Sequence, residues 1–563
     1  MIPEAEFVGY DPLKLQPEPA EEQALPAAPQ PAPPLAMSPY WSAIYIAAST
    51  LLSLTQGLGM NLIATNVSQI QGYLGATSTE TTWLIAAYMA PNVSLSVALI
   101  KIRAQYGLRN FAQLSIAGFV LVSLMHLFVT DLQSAIIIRF FSGMAASPMS
   151  TLAFLYMLEA FPPARKLTVA VCLVLTNISL ASPLARFLSP ALLDFGQWRG
   201  LYMFEVSLAF IAFTVIYLLP LTPPPRAKVI EKLDILAYLL IAIGFGCTAV
   251  VLVTGRLYWW TEVSWLGILL AIAVVTLTLA VIIDLNRTKP LLDIHWIVSK
   301  EVLHLAGTIL LFRLIVSEQA TVATNFFQNL GLLNEQIATL YAVMMVSMVV
   351  AGLCCAAVMT PERGPAIHVI ALIFLIIGSY MDSQATNLTR PENMYVSQAL
   401  IAAATVIFLP PAMSAGLMSA LKRGPVYILN FFIVFLATQS LGGLLGTAVF
   451  GSFITIREKF HSNVLAEHIV MSDPLVAQRV AQLASGYGRV ITDKVLLNAE
   501  GIALLSQQAT REANILAYND AFFLIAGISF FALVALLIHV SFRYGIRKFI
   551  LPAITGEIAQ PSS

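Results

Sequence analysis

Fourteen separate apolar stretches, each about 20 residues long, follow one another from Trp41 to about Phe542. A helix of about 20 residues rises about 30 Å, which is the thickness of a bilayer's hydrocarbon core, and it satisfies all its backbone hydrogen bonds internally. A large soluble helical protein would need far more charged surface than a chain with 58% hydrophobic and 11% charged residues provides. We therefore predict an all-α polytopic membrane protein.

The predicted spans are separated by short links that contain helix-breaking residues such as Pro162-Pro163 and Gly424-Pro425. We place the spans at 41–63, 82–102, 108–129, 133–158, 166–192, 198–220, 234–255, 264–285, 302–328, 335–358, 366–384, 393–417, 425–454 and 518–542. The four cysteines, Cys172, Cys247, Cys354 and Cys355, all fall inside spans, so no disulfide is predicted.

The basic residues predict the orientation of the chain. Seventeen of them lie in the even-to-odd links and at the C-terminal end, whereas the short links on the other side hold only Arg199, Arg256 and Arg390. Because positive residues concentrate on the cytoplasmic side of membrane proteins, we expect both termini in the cytoplasm.

Residues 1–40 differ from the rest of the chain. They contain ten prolines and six acidic residues against a single basic one, Lys14. Such a composition does not build a hydrophobic core, and no signal-peptide pattern is present, so we predict a disordered cytoplasmic tail.

The last two spans are joined by a long polar segment, 455–517, on the side opposite the termini. Val476, Val480 and Leu483 recur at helical spacing, and Ser472-Asp473-Pro474 is typical of a helix start. We expect two or three amphipathic helices outside the membrane. They form either a cap over the outer mouth or a docking surface for a periplasmic partner.

No motif for a soluble catalytic site, a nucleotide or a metal ion is found: there is no Walker-type loop, no HExxH and no CxxC pair. We therefore predict no enzyme activity, no cofactor and no metal site. Without a nucleotide site, uphill transport has to be driven by an ion gradient.

Five ionisable residues lie deep inside predicted spans: Arg139, Arg186, Arg313, Glu205 and Glu318. An ionisable group at this depth costs at least a few kcal/mol unless it faces a cavity or a partner, so each is a functional candidate. Arg186 and Glu205 fall at similar depth on successive spans, which leaves open a purely structural ion pair between them.

Several segments resemble one family of transporters. Residues 55–89, with Asn66, Gly75 and Trp83, resemble the first span, first outer loop and second-span start of the fourteen-span drug:proton antiporter branch of the major facilitator superfamily. IIIRFFSGMAASPM (136–149) resembles the RxxxG motif of span four, with Arg139 and Gly143 in place. WRGLYMFEV (198–206), 286–300, 326–340 and 440–460 resemble further segments of that branch. The resemblance covers about 40–560.

The chain resembles in particular the inner-membrane pump of Emr-type tripartite efflux systems, and the resemblance implies two six-helix bundles with two inserted helices. It divides the chain into a tail (1–40), a first bundle (41–220), two inserted helices with linkers (221–300), a second bundle that includes the long loop (301–548) and a second tail (549–563). It implies an inner-membrane exporter of drugs, toxins, lipid-like compounds or organic acids. Its implied partners are the lipid bilayer, an amphipathic substrate, a periplasmic membrane-fusion adaptor and a TolC-type outer-membrane channel, with no nucleic acid.

The departures from the branch concern proton coupling. Gly59 stands where the branch has an acid in span one, Ala104 replaces the acid of the span 2–3 loop, and the span-five motif keeps only Pro183 and gains Arg186. A buried Arg139 without its acid would be expensive, and Glu205 could supply the missing carboxylate.

Three sets of candidate residues follow. For proton coupling we expect Glu205, Glu318, Arg139 and Arg186. For the substrate cavity we expect Asn61, Tyr88, Asn92, Arg313, Asn325, Gln398 and Gln439. For gating and conformational change we expect Gly107, Arg109, Pro183, Pro410, Pro411, Gly442 and Gly443.

Three deep arginines against two deep acids favour anionic substrates such as fatty acids or aromatic acids. Two other classes stay open: a proton-independent facilitator or importer, and a non-transporting membrane scaffold or sensor.

Overall fold

The computed structural model describes residues 37–222 and 228–545, and over these residues it is built of helices and connecting turns without a β-strand. The main helices are α1 (Pro39–Thr65), α2 (Trp83–Tyr106), α3 (Leu108–Met125), α4 (Leu132–Glu159), α5 (Val171–Leu218), α6 (Lys232–Tyr258), α7 (Ser264–Leu285), α8 (Lys300–Ser317), α9 (Asn334–Val358), α10 (Gly364–Asp382), α11 (Tyr395–Arg423), α12 (Pro425–His468), α13 (Pro474–Ser485) and α14 (Lys494–Gly545). α8 is continued by a π-helical turn (Glu318–Ala323) and a short helix (Thr324–Asn329). The tails predicted at 1–40 and 549–563 lie outside the described residues, apart from 37–40.

By length and composition, thirteen helical segments in the described residues can cross a membrane. The longest, Pro163–Leu218, has 56 residues, and its backbone leaves the helical conformation at Gly196 and Gln197. This helix therefore contains two spans, the predicted fifth and sixth, which brings the total to fourteen. The prediction of an all-α polytopic membrane protein is confirmed.

The helices pack as two groups with a pair between them. α1, α3 and α4 pack on α5, while α9 and α10 pack on α11 and both α10 and α12 pack on α14. α6 and α7 pack on each other, and α6 also contacts α2 and α12. The two groups meet where α5 contacts α9 and α11. The exact domain boundaries stay a prediction.

A charged cluster fastens the α6–α7 pair to α2. The Lys101 ammonium lies 2.8 Å from Asp234 Oδ1, and Arg287 lies 2.8 Å from Asp234 and 2.9 Å from Glu231. Partial burial of Arg287 opposes its charge, but the hydrogen bonds that it donates to Glu231 and Asp234 outweigh burial and raise the pKa of the guanidinium. The span 2–3 loop motif, in which Ala104 replaces the acid, is thus paired with a carboxylate of α6, Asp234, through Lys101.

In the long segment 455–517, where two or three amphipathic helices were predicted, the structure has two extensions of the flanking spans and one separate helix. α12 continues to His468 and α14 begins at Lys494, so most of the segment extends the two flanking spans, and only α13 is a separate helix. α13 packs on α14 because Gly501 has no side chain: a Cβ there would stand 2.5 Å from the Val480 carbonyl oxygen. Long apolar helices continue beyond the membrane because no breaker interrupts them.

Two cysteines meet across the contact between α5 and α9. The sulfur of Cys172 lies 3.6 Å from that of Cys355 and 3.2 Å from the sulfur of Met359. One turn away, a Cβ on Gly352 would overlap the side chain of Thr176. Both thiols are unoxidised, and the two helix groups pack tightly at this point.

Candidate functional site

Arg139 is buried in the first helix group, with only 1% of its surface exposed. Its Nη1 donates a 2.9 Å hydrogen bond to the carbonyl oxygen of Gly59 on α1, and its guanidinium lies 4.3 Å above the centre of the Tyr88 ring. A carbonyl oxygen and an aromatic face partly replace the water that the cation has lost.

Glu205, in the second half of α5, reaches the same place from the other side. It is 3% exposed, and its Oε1 lies 3.4 Å from the hydroxyl of Ser123. A Cβ built on Gly59 would stand 3.1 Å from Oε1 of Glu205. Arg139 and Glu205 thus both lie against Gly59, and within the described residues they form no direct salt bridge with each other.

His126 completes this cluster, and the sequence analysis missed it. Its ring is fully buried, stacks on Tyr202 at 4.6 Å between ring centres, and lies 3.2 Å from the Ser142 hydroxyl through Nε2. Its other nitrogen, Nδ1, has no partner. The available signal was a histidine at the end of an otherwise apolar span, which we had not weighed as an ionisable group.

Arg186 does not pair with Glu205, so the structural ion pair between them was wrong. Arg186 instead extends across to the second helix group. Its Nη2 donates to the carbonyl oxygen of Ala320 at 3.3 Å, and its guanidinium lies 5.8 Å from the Tyr341 ring centre. Within the described residues it makes no salt bridge, because its side of α5 faces the other helix group rather than the second half of its own helix.

Arg313 on α8 is held against α12. Its Nε donates to the Gln439 carbonyl oxygen at 3.2 Å. A Cβ on Gly442 would stand 2.8 Å from Cβ of Arg313, and one on Gly443 would stand 3.0 Å from its Nη2. The two glycines therefore make room for this side chain. No acid neutralises Arg313 in the part of the chain that the structure describes.

Glu318 lies in the second helix group, at the start of the π-helical turn, and is fully buried. Its Oε1 accepts a 2.9 Å hydrogen bond from Nε2 of Gln398. The same Nε2 also lies 2.8 Å from Asp382, a buried acid that the sequence analysis did not single out. Gln398, expected in the substrate cavity, is 1% exposed and belongs to this buried group.

Residues 49–456 match the model of the Major Facilitator Superfamily, which is well over half of the chain. The chain belongs to this superfamily.

Relatives and solved structures agree with this assignment to the superfamily. The chain is 25% identical over 253 residues to the probable multidrug resistance protein EmrY of Escherichia coli K12, and 25% identical over 252 residues to the fatty acid resistance protein FarB of Neisseria gonorrhoeae. These matches span about half of each relative, 49% and 48%, and 45% and 43% of this chain. The multidrug export protein EmrB of Haemophilus influenzae matches at 23% identity over 85% of this chain and 92% of its own length.

The fold likeness extends to the human organic anion transporter MFSD10, with a TM-score of 0.53, 12% identity, and coverage of 87% of this chain and 99% of that one. This likeness shows the fold alone. Two of the named relatives, EmrY and EmrB, carry names that refer to multidrug resistance and multidrug export.

The other residues expected at the site are scattered. The Asn61 amide bonds its own helix, at Gly57, and the Asn92 amide donates to the Gly143 carbonyl oxygen at 3.1 Å, where α2 and α4 approach closely. Tyr88 lies under Arg139 rather than in an open cavity. Asn325 is half-buried beyond the π-helical turn.

The residues expected to take part in gating stay predictions, with one local explanation. Gly107 joins α2 to α3 with a φ of 85°, a conformation that side chains other than glycine's rarely adopt. Arg109 beside it is exposed, and Pro183 is buried inside α5. α11 continues as a helix through Pro410 and Pro411.

Proposed function

We propose that this protein exports amphipathic organic anions, of the class of long-chain carboxylic acids, across the bacterial inner membrane at the expense of a proton gradient. The observation that carries the proposal is that Arg186 and Arg313 make no salt bridge within the described residues. No described carboxylate neutralises the two guanidinium groups, so both are available to a bound anion.

The surroundings of these two arginines fit an anion. Arg186 bridges the two helix groups through the Ala320 carbonyl, the place where a transporter of this fold binds its substrate between its halves. Next to Arg313, the side-chain Nε2 of Gln439 is buried without a hydrogen-bond partner, so a further donor is free. A carboxylate would accept hydrogen bonds from the Arg313 guanidinium and from the Gln439 amide, whereas the arginine would repel a lipophilic cation. The name of the relative FarB, a fatty acid resistance protein, points to the same class of compound.

Proton coupling is the second part of the proposal. Glu205 sits beside Gly59, where the branch that the sequence resembles carries its acid on the first span, and Arg139 contacts the same glycine. A carboxyl in this buried place takes up a proton when Arg139 moves away and releases it when Arg139 returns, so movement of the helices loads and unloads it. In this proposal Glu205 compensates for the acid that span one lacks, which is one of the two features that suggested a facilitator or importer; the reduced span-five motif is the other.

Transport by everted vesicles tests the substrate class. Vesicles that contain the protein should accumulate a fluorescent long-chain carboxylate when a proton gradient is applied, and the matched alcohol or quaternary ammonium compound should accumulate far less. Equal accumulation of the cation would contradict the anion assignment. Uptake of the carboxylate that ignores the gradient would instead favour a facilitator, and no flux at all would favour a scaffold or sensor.

The adaptor is the remaining part of the proposal. With both termini in the cytoplasm, the extensions of α12 and α14, together with α13, project on the periplasmic side. Several apolar side chains there are strongly exposed, notably Val495 at 76% and Leu496 at 60%. They have no lipid to meet if they lie beyond the membrane, so we propose that they dock a periplasmic adaptor that continues to a TolC-type channel.

The docking surface is tested by replacing its exposed apolar residues with serine. Val495→Ser with Leu496→Ser should reduce co-purification of the adaptor while export into everted vesicles stays normal. Replacement of residues 462–510 by a short Gly/Ser bridge should have the same effect. Full recovery of the adaptor with the shortened chain would place docking elsewhere and leave the segment as a lid.

A further inference from the structure

Two buried carboxylates in the second helix group share one amide group. The side-chain Nε2 of Gln398, near the start of α11, lies 2.9 Å from Oε1 of Glu318 and 2.8 Å from Oδ2 of Asp382. An amide nitrogen carries two hydrogens, so it can donate one to each acid. Glu318, Gln398 and Asp382 are 0%, 1% and 2% exposed.

A second glutamine holds the bridging amide in this orientation. Nε2 of Gln319 donates to the backbone oxygen of Gln398 at 3.1 Å and lies 3.3 Å from its side-chain Oε1. Because Oε1 of Gln398 already faces a donor, its Nε2 is the end that faces the two acids. The π-helical turn at Glu318–Ala323 places Glu318 and Gln319, which are adjacent in sequence, on the same glutamine.

No cation balances these acids. Neither Glu318 nor Asp382 makes a salt bridge in the part of the chain that the structure describes. Two bare carboxylates around a single amide would each suffer the loss of water and also repel one another, so the pair has to hold at least one proton.

The hydrogen bonds indicate where that proton resides. Both oxygens of Asp382 already accept, Oδ1 from the Ser397 hydroxyl and Oδ2 from Gln398. Oε2 of Glu318 is buried with no partner at all. The hydroxyl of Ser379, one helical turn before Asp382 on α10, is also fully buried and without a partner. Burial without a hydrogen-bond partner costs a protonated carboxyl or a hydroxyl much less free energy than it costs a charged carboxylate oxygen.

We propose that Glu318 and Asp382 form a proton-binding site in the second helix group, separate from the Arg139–Glu205 site, with the exchangeable proton on Glu318 and with Asp382 as its partner. The inference rests on the proposed function only in that a proton-driven transporter gives such a site its use. A carrier with a site in each helix group can bind one proton in each, and proton-driven transport then requires both sites.

Infrared titration of the purified full-length protein tests this proposal without any substrate. Protonated carboxyl groups absorb apart from carboxylates and from amides, so each buried acid that carries a proton contributes its own band. Glu318→Gln should remove one band, and Glu205→Gln should remove a different one. Asp382→Asn should shift the pH at which the Glu318 band disappears. Glu392→Gln, which changes an exposed acid on the link before α11, should leave the bands unchanged.

The outcomes separate this inference from the proposed function. If Glu318→Gln leaves every band in place, the exchangeable proton does not reside on Glu318 and the proposal is overturned. If Asp382→Asn leaves the Glu318 titration where it was, the two acids do not form one site. Glu318→Asp keeps a carboxyl but withdraws it from Gln398, so its band should shift, and this variant serves if the glutamine variant does not fold. Failure of anion export with the band present would contradict the proposed function alone.

Discussion

The carboxylate of Glu205 lies in the space left by the missing side chain of Gly59. A Cβ on Gly59 would stand 3.1 Å from Oε1 and 3.5 Å from the carboxyl carbon of Glu205. The acid therefore reaches from the second half of α5 to α1, the helix on which the resembling branch carries it. Arg139, bound to the Gly59 carbonyl oxygen, keeps its contact with α1 although α1 supplies no charge.

Exchanging the two residues tests this relationship. Glu205→Gln should abolish proton-driven export, because no carboxyl group is left beside Arg139, while substrate exchange without a gradient continues. Adding Gly59→Asp to Glu205→Asn returns an acid to the same space from α1 and should restore part of the proton-driven export. Gly59→Asp alone crowds two acids together and should lower thermal stability. Proton-driven export that survives in Glu205→Gln would rule out this role.

Arg186 and Arg313 should recognise the negative charge of the substrate. Arg186→Gln and Arg313→Gln each remove a cation that makes no salt bridge, so each should weaken binding of a long-chain carboxylate by roughly 10-fold or more, the effect of one hydrogen bond to a charged group. Binding of the matched neutral alcohol should change little. Binding measured by fluorescence or calorimetry on purified protein checks this, and equal losses for acid and alcohol would indicate a structural role instead.

The glycines beside Arg313 should be intolerant of a single methyl group. Gly442→Ala places a Cβ 2.8 Å from Cβ of Arg313, a part of the side chain that cannot swing away, so we expect a destabilisation of about 1–3 kcal/mol. Gly267→Ala in α7 is the matched control, since a Cβ there meets nothing within 4 Å. Alanine favours a helix over glycine by about 1 kcal/mol, so this control should be neutral or slightly stabilising in thermal unfolding.

The charged cluster at Asp234 should contribute most to the stability of the contact between the α6–α7 pair and α2. Asp234→Asn leaves Lys101 and Arg287 without their common acid, and breaking such a buried pair typically costs about 3–5 kcal/mol. Glu231→Gln removes another of the three acidic partners of Arg287, but this acid is half exposed and its loss should cost at most about 1 kcal/mol. Similar melting temperatures for the two variants would show that burial does not strengthen the Asp234 contacts.

Oxidation of the two thiols between α5 and α9 should link the two helix groups covalently and stop their movement. Copper phenanthroline should convert the Cys172 and Cys355 thiols, 3.6 Å apart, into a disulfide that ties the two helix groups together. If these groups separate during transport, export should stop and should return on reduction. Cys172→Ser should be insensitive to the oxidant, whereas Cys354→Ser should behave like the unaltered protein. Unchanged export by the cross-linked protein would mean that this contact stays closed throughout the cycle.

Much of the fold was predictable because it depends on local properties of the chain. The apolar stretches each had the length to span a bilayer, and the breakers between them marked most helix ends. The sequence analysis divided spans five and six at 193–197, and the backbone leaves the helical conformation there, at Gly196 and Gln197. It differs from the structure at the last two spans, where α12 continues past the apolar stretch to His468 and α14 begins well before its own apolar stretch, at Lys494. Hydropathy marks where a helix leaves lipid, which is not where the helix itself ends.

The candidate site was predictable only in part. Arg139, Glu205 and Glu318 could be singled out because an ionisable residue inside an apolar span is expensive wherever it points. Their partners could not, since equal depth on neighbouring spans does not tell which face of a helix a side chain occupies. Arg186 therefore turned out to face Ala320 rather than Glu205, and His126 and Asp382 joined groups that their positions near span ends did not suggest.

The sequence by itself determined the class of the protein, the number of its spans and the residues that carry charge into the membrane, because these follow from the free energy of placing each residue in lipid. Only the tertiary structure decided that Glu205 fills the place of an acid absent at Gly59, that Gln398 joins Glu318 to Asp382, and that Cys172 meets Cys355. These contacts join residues far apart in the chain, and they depend on how the helices rotate and pack, which no local pattern of residues encodes.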